Sequence, residues 1–381
     1  MNYITTNAIL LLIAFAPYIT QTMDAPIRPI DEIIQKNTLS LNCGYIIKKL
    51  VWSPDGNYIA GINTNNPSVV VWDAAGKELY SQHFLFCNTE MIAFSPDSNH
   101  IAAIGYNYSN GPRPPYNPHY LKIIETTTGK LKSRSDQFKN ITCFAYNSDG
   151  KKIAMAVEKA NDFENKKSLQ IIDAQRGKFI EDYLPPKGSI SSIAYSHDDT
   201  ILALGIWENG NNKIVLLSPR MGGVPVQRIN HREKSIHSLQ FYHQASFNDK
   251  SKIIFCSRTR CLLWDLFTNE ILHDFHKGEI AAYYSQDFKL QFKDIALSKD
   301  NTKLITAKLR TRPLPEEPYY CITIFDTETG KVIVDFEKEN VDAVAYSPDM
   351  KKIVFAKYLY TNIVTLPSDE EIEQLEQRID K

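Results

Sequence analysis

The chain has 381 residues, 43% of them hydrophobic and 23% charged. That balance supports a packed core and excludes wholesale disorder. Lys plus Arg number 43 against 44 Asp plus Glu, a net charge of -1. This argues against a protein that binds nucleic acid by neutralising phosphates, so no nucleic-acid partner is expected.

In chain order, the first feature is an apolar run from Ala8 to Ile19. It is shorter than the ~20 residues a spanning helix needs, and its length suits the apolar core of a secretory signal peptide. No Lys or Arg precedes it, and the nearest substitute for an Ala-x-Ala cleavage site is Thr20-Gln21-Thr22. The expectation is a signal peptide over 1–22 and a linker over 23–36, with export and no membrane-spanning segment after cleavage. An uncleaved anchor or a packed N-terminal segment is the alternative.

From residue 37 onward one pattern recurs: an apolar strand, a Ser-x-Asp turn, then a second apolar strand. It reads VWSPDGNYIAGI at 51–62, IAFSPDSNHIAAIG at 92–105, FAYNSDGKKIAMAV at 144–157 and IAYSHDDTILALGI at 193–206. It returns as IALSKDNTKLITA at 295–307 and VAYSPDMKKIVFA at 344–356, with a degenerate copy over 239–256. Seven copies result, and the steps from Ser53 to Ser347 average 49 residues. A period of that size is characteristic of four-stranded propeller blades.

Each copy continues into a second hairpin. An apolar run ends in an acid and a turn, as in VVVWDAAGKELY at 69–80, LQIIDAQRGKFI at 169–180 and CITIFDTETGKVIV at 321–334. The copy KIVLLSPRMGGVPV at 213–226 lacks the acid. Asp in such a turn accepts from backbone amides ahead of it, and Gly takes the positive φ without steric cost. The expected fold is therefore all-β, a seven-bladed β-propeller of four-stranded antiparallel blades over 37–366.

Trp72-Asp73 and Trp264-Asp265 match the dipeptide of the WD-repeat family. With Ser53-Pro54-Asp55-Gly56 and the D-x-x-x-G-K turns, the chain resembles bacterial members over roughly 37–366. It lacks the Gly-His that opens a typical repeat. The resemblance implies a non-catalytic protein-interaction scaffold. Another propeller family with hairpin blades is the alternative.

The last copy offers three strands, 342–346, 352–357 and 362–366. The orphan segment Thr38 to Cys43 fits the missing fourth, closing the ring and leaving no open seam. Ser368 and Glu371 have capping-box spacing and begin an expected acidic helix over 367–381.

Catalytic signatures are absent. The sequence holds no G-x-S-x-G elbow, no phosphate loop and no H-E-x-x-H. His273, His276 and Glu279 straddle a strand end and a turn, so no metal is expected, and no cofactor is implied. Asp294 and Asp342 are the scattered acids near inner strand starts that an enzyme alternative would draw on. The six cysteines lie mostly in apolar runs. Cys256 and Cys261 flank a turn and could face each other, but buried free thiols are the expectation.

A partner surface is expected where loop length varies, at 63–68, 106–120, 158–168, 207–213 and 309–320. These segments carry Tyr106, Tyr108, Arg113, Tyr116, Tyr120, Arg310, Arg312, Tyr319 and Tyr320. Tyrosine offers a large amphipathic surface and Arg binds carboxylates in bidentate fashion. The alternative is that these tyrosines pack on their own loops. Arg312-x-x-Pro315-x-x-Pro318 also resembles a ligand for SH3 modules. The identity of the protein partner and the oligomeric state are not legible.

Overall fold

The computed structural model describes most of residues 38–366 together with Ser368 and Glu371. Residues 1–37, 108–118, 159–166, 243–251, 276–290, 311–318 and 372–381 and several shorter segments lie outside the described residues. The expected signal peptide, linker and C-terminal helix therefore fall outside them. The capping box is present. Ser368 N–H donates to Glu371 Oε2 (2.7 Å) and Glu371 N–H to Ser368 Oγ (3.3 Å).

The unit from Thr38 to Leu366 forms seven four-stranded antiparallel sheets. Blade 1 runs Ile47–Trp52, Tyr58–Asn63, Ser68–Asp73 and Glu78–His83; blade 2 runs Cys87–Phe94, His100–Asn107, His119–Glu125 and Leu131–Arg134. Blade 3 comprises Asn140–Tyr146, Lys152–Glu158, Lys167–Asp173 and Phe179–Tyr183. Blade 4 comprises Ser189–Tyr195, Leu202–Glu208, Asn211–Ser218 and Val224–His231. Blade 5 is Ile236–Phe241, Lys252–Ser257, Cys261–Asp265 and Glu270–Asp274; blade 6 is Gln291–Leu297, Lys303–Arg310, Tyr319–Asp326 and Val332–Lys338. First strands of successive blades touch one another around the ring, and that of blade 7 touches that of blade 1.

Blade 7 joins Val341–Tyr346, Lys352–Lys357 and Tyr360–Thr365 to Thr38–Leu41 as its outer strand. Thr38 pairs with Val364 and Leu41 with Thr361, so the ring closes as expected. The side chains divide by strand alternation. Leu41 is 6% exposed and joins the core between blades 7 and 1, whereas Leu39 is 46% exposed. Leu41 also lies where a Cβ on Gly76 would stand, at 2.4 Å, so the close approach and the φ of +89° both require glycine there.

The core lies between the blades. Second and third strands are nearly all buried because both faces are covered by neighbouring sheets, and their Val, Ile and Leu side chains interleave in clusters spanning two blades. Trp72 is among the largest fully buried side chains.

Turn chemistry sets the ends. Ser53 Oγ donates to Asp55 Oδ1 (2.5 Å), and Asp55 accepts from Asn57 N–H (3.0 Å). Ser95–Asp97, Ser196–Asp198, Ser298–Asp300 and Ser347–Asp349 repeat the arrangement, with Asn147 standing in for serine in blade 3. At the outer hairpin Asp73 accepts from Ala75 and Lys77 N–H, and Asp173 from Gln175 and Arg176 N–H. Gly177, at φ +67°, receives the outer strand of blade 2. A Cβ there would sit 2.9 Å from Arg134 O, so the turn glycine also lets neighbouring blades approach. Blade 4, without the acid, closes instead through a 3₁₀ turn at Pro219–Met221.

Candidate functional site

The antiparallel order sends the turns between first and second and between third and fourth strands to one end, here called the turn face. The loops between second and third strands emerge at the other, the loop face. The turn face repeats one first turn in every blade but blade 5, and neighbouring turns are tied together. Ser98 and Asp199 take left-handed φ (62° and 57°) and reach back to the preceding blade. Asp55 N–H donates to Ser98 Oγ (3.0 Å), and Ser148 donates to Asp199 through both N–H and Oγ (2.8 Å each).

On the loop face several segments are shorter than expected. Strand pairing extends to Arg310↔Tyr319 and Leu309↔Tyr320 in blade 6, and to Tyr106↔His119 and Gly105↔Tyr120 in blade 2. Tyr106, Tyr120, Arg310, Tyr319 and Tyr320 are thus strand-end residues. Tyr108, Arg113, Tyr116 and Arg312 lie outside the described residues. The segment 207–213 is strand on both sides, since Glu208 pairs with Asn211, which corrects its assignment as a loop. The 63–68 segment is a turn tied inward. Thr64 N–H donates to Ile46 O (2.9 Å) and Asn65 Nδ2 to Gly44 O (3.2 Å).

Both described candidate tyrosine side chains make local contacts. The Tyr106 ring lies 5.4 Å from the imidazole of His119, and the Arg134 guanidinium sits 5.0 Å from the Tyr120 ring centroid. His119, not singled out by sequence, is buried. Its Nδ1 accepts from Ile141 N–H (2.9 Å), and its Nε2 is 3.9 Å from Glu90 Oε2. Burial lowers its pKa, against the opposing pull of Glu90, which favours the neutral ring that the Nδ1 contact requires.

Glu90 belongs to a set of which sequence reading picks out Asp342 but not the pattern. Each first strand carries one extra residue opposite its partner strand, at Lys48, Glu90, Thr142, Ser191, His237, Lys293 and Asp342. All seven are polar. A bulge re-aims its side chain, and two of these stitch blades together. Thr142 Oγ1 donates to Ile190 O (2.8 Å) in blade 4, and Ser191 Oγ to Ile236 O (2.7 Å) in blade 5. Glu90, Thr142 and Ser191 line a cavity of about 300 Å³ against the first strands of blades 1 to 5. Cys143 also lines it, with burial pushing its thiol up to about 12, so it stays protonated at neutral pH and is no nucleophile.

Cys256 and Cys261 overturn the expectation of free thiols. They are direct cross-strand partners in blade 5, 4.3 Å apart at Cα, and are joined by a disulfide. Their side chains are buried between blades 5 and 6. Among the described residues no group of three His, Cys, Asp or Glu is gathered to hold a metal. No protein-family model matches the chain, and no curated protein matches it significantly.

Proposed function

We propose that this propeller is a WD-repeat-like, non-catalytic scaffold that binds a protein partner through its loop face, outside the cytoplasm. The observation that carries the reading is the asymmetry of the two ends. The turn face repeats one closed hydrogen-bonded first turn in every blade but blade 5, while most of the segments of differing length emerge at the loop face, where insertions in repeat proteins gather around a binding surface. Tyr319, Tyr320 and Arg310 stand at the loop-face ends of blade 6, and residues of these types dominate interface energetics. The buried Trp72 and the Asp73-closed turn support the WD-repeat likeness. The Cys256–Cys261 disulfide supports export, because such bonds persist in oxidising compartments.

The test is a crosslinking pull-down from native material, followed by affinity measurement with the Tyr116→Ala, Tyr319→Ala double variant. The reading expects binding weakened by ~2 kcal/mol or more per anchor with an unchanged melting temperature. Unchanged affinity with an intact ring overturns the loop-face assignment. N-terminal sequencing tests export separately: a mature start near Met23 supports it, and an intact Met1 in a soluble cytosolic fraction rejects it.

A further inference from the structure

The entry into blade 3 is held by one imidazole. His119 opens the third strand of blade 2, and Phe138 lies in the connection from blade 2 to blade 3. Their backbones pair both ways: His119 N–H donates to Phe138 O (2.8 Å) and Phe138 N–H to His119 O (3.0 Å). Three residues on, Ile141 N–H donates to His119 Nδ1 (2.9 Å) in a buried contact. Phe138 and Ile141 are buried in the core shared by blades 2 and 3. Thr142, next in the chain, carries the bond to Ile190 O of blade 4. One side chain thus secures the start of a blade that in turn secures the next.

The contact fixes where the ring carries its proton. A backbone N–H only donates, so Nδ1 is unprotonated and the proton of the neutral ring sits on Nε2, 3.9 Å from Glu90 Oε2. That separation is too long for a hydrogen bond, but it places a carboxylate beside the atom that a charged ring would turn toward it. A second proton goes onto Nδ1 and makes the acceptor a donor facing Ile141 N–H. The buried amide then has lost its partner, which costs its full desolvation penalty. Burial disfavours the charged ring and holds its pKa below 6.5, while Glu90 and the Asn140 side chain pull the other way. The remaining neighbours are accounted for strand by strand. Tyr106 flanks the ring at 5.4 Å from the second strand, and Arg134 of the outer strand lies over Tyr120. Lys49 of blade 1 lines the same cavity as Glu90. In blade 3, Glu158 stands opposite Asn140 and Lys167 opposite Glu158 in the strand register.

We propose that His119 is a pH-operated clasp between blades 2 and 3: the neutral ring holds Ile141 N–H, and the protonated ring releases it, turns toward Glu90 and loosens the entry of blade 3 at residues 138–142. The direction follows from linkage. A histidine whose folded pKa is depressed takes up a proton on opening, so the clasp is fully present above the ordinary value of 6.5 and is lost as pH falls through the lower folded value. The turn aspartates respond only in stronger acid, because Asp55, Asp97 and Asp149 are held below 3.8. The entry of blade 1 also rests on a side-chain acceptor, Asn65 Oδ1 on Ile46 N–H (3.3 Å), but an amide oxygen does not titrate.

The experiment follows the full chain from about pH 7.5 to about pH 5, the range in which histidine titrates. Hydrogen exchange read by mass spectrometry, corrected for the intrinsic pH dependence of exchange, reports opening at 138–142. Ring-nitrogen NMR of isotope-labelled histidine reports the proton. The proposal expects His119 to have Nδ1 unprotonated at neutral pH. Opening should rise as the ring protonates, by up to about tenfold for each unit by which its folded pKa lies under 6.5. His119→Asn keeps an acceptor near the place of Nδ1 that does not titrate, so its protection at 138–142 should ignore pH across this range. Glu90→Gln removes the carboxylate that favours the charged ring, so the midpoint should move to lower pH. A merely structural contact would leave that midpoint in place. Protection at 138–142 that is independent of pH in the wild type overturns the proposal, as does a neutral ring with its proton on Nδ1. So does a His119→Asn protein that keeps the wild-type response, or an unmoved Glu90→Gln midpoint. If His119→Asn does not fold, the wild-type ring and the Glu90→Gln midpoint decide the matter.

Discussion

Blades 5 and 7 both break the repeat, and the ring mends them by different means. Blade 7 lacks an outer strand in its own stretch of sequence and takes one from more than 300 residues earlier, joined by backbone pairing and one buried leucine. Blade 5 keeps its four strands but loses its capping serine. It is fastened instead by a disulfide, the Tyr242–Thr327 bond and an ion pair between Arg260 Nη2 and Asp274 Oδ2 (2.5 Å). Blade 7 shows that a pairing edge can be supplied from any distance along the chain. Blade 5 shows that a lost local turn has to be offset by links to the neighbouring strand and blade.

The largest expected effect is at the blade 7 seam. Leu41→Ala should cost about 2–5 kcal/mol, the range for emptying a buried leucine site. Leu39→Ala should stay within about 0.5 kcal/mol because that side chain faces water. Chemical denaturation of both variants measures the contrast. A larger loss for Leu39→Ala would mean that the strand is held in the opposite facing, and equal losses that neither side chain is preferentially buried. Deleting residues 38–41 should leave the edge of Tyr360–Thr365 unpaired and produce aggregation, read by light scattering.

In blade 5, Cys256→Ala with Cys261→Ala should destabilise by about 2 kcal/mol, the lower end for a disulfide because the closed loop is short. Register aligns this pair with Ile104 and Leu121 in blade 2, an apolar pair doing the same packing without a bond. Reductant should therefore lower the wild-type melting temperature toward that of the double variant and leave the variant itself unmoved. A wild type insensitive to reductant under unfolding conditions would deny the bond a role. Tyr242→Phe should be milder, about 1 kcal/mol for one lost hydrogen bond, with the crevice to blade 6 loosened.

The contrast also explains what sequence could and could not convey. The Ser-x-Asp and Asp-x-x-x-Gly turns are local, so each could be read from a few residues, and the alternation of Thr38 to Leu41 sufficed to propose the closing strand. Asp342 stood out as an acid near a strand start, but the seven-fold set of polar bulge positions was invisible because one unpaired residue only emerges from the register between two strands. Cys256 and Cys261 looked like two hydrophobes until pairing set them opposite each other. At the loop face, Pro, Asn and Gly near Tyr106, Tyr120, Tyr319 and Tyr320 suggest early strand ends and place these tyrosines in loops. Cross-strand pairing carries the strands two residues further at each end, and at Tyr106 and Tyr120 side-chain contacts reinforce it. His119 sat in that same polar stretch, with no pattern marking it as buried.

The smallest effect is in acid, and it also separates the two blades. Asp349 in the first turn of blade 7 accepts from Ser347 Oγ (2.6 Å) and Lys351 N–H (3.1 Å). Burial raises its pKa, but these bonds and the charges of Lys351 and Lys352 outweigh it and hold it below 3.8. The ionised form is thus favoured more in the folded than in the unfolded chain. Its contribution is fully present above the unfolded value near 3.8 and is lost as pH falls toward the lower folded value. Asp55, Asp97, Asp149 and Asp300 are shifted in the same direction, so five turns weaken together as carboxylates protonate. Blade 5 has Tyr242 where the other turns have the serine or asparagine donor. Its disulfide carries no titratable proton. Asp349→Asn should lower stability at pH 7 slightly while flattening the fall between pH 4 and the acid limit, about pH 2. Tyr242→Phe should lower the whole curve without changing that slope. Stability curves across this window, measured by urea denaturation, compare the two directly. A Tyr242→Phe curve that steepened in acid, or an Asp349→Asn curve parallel to wild type, would break the distinction between the two kinds of turn.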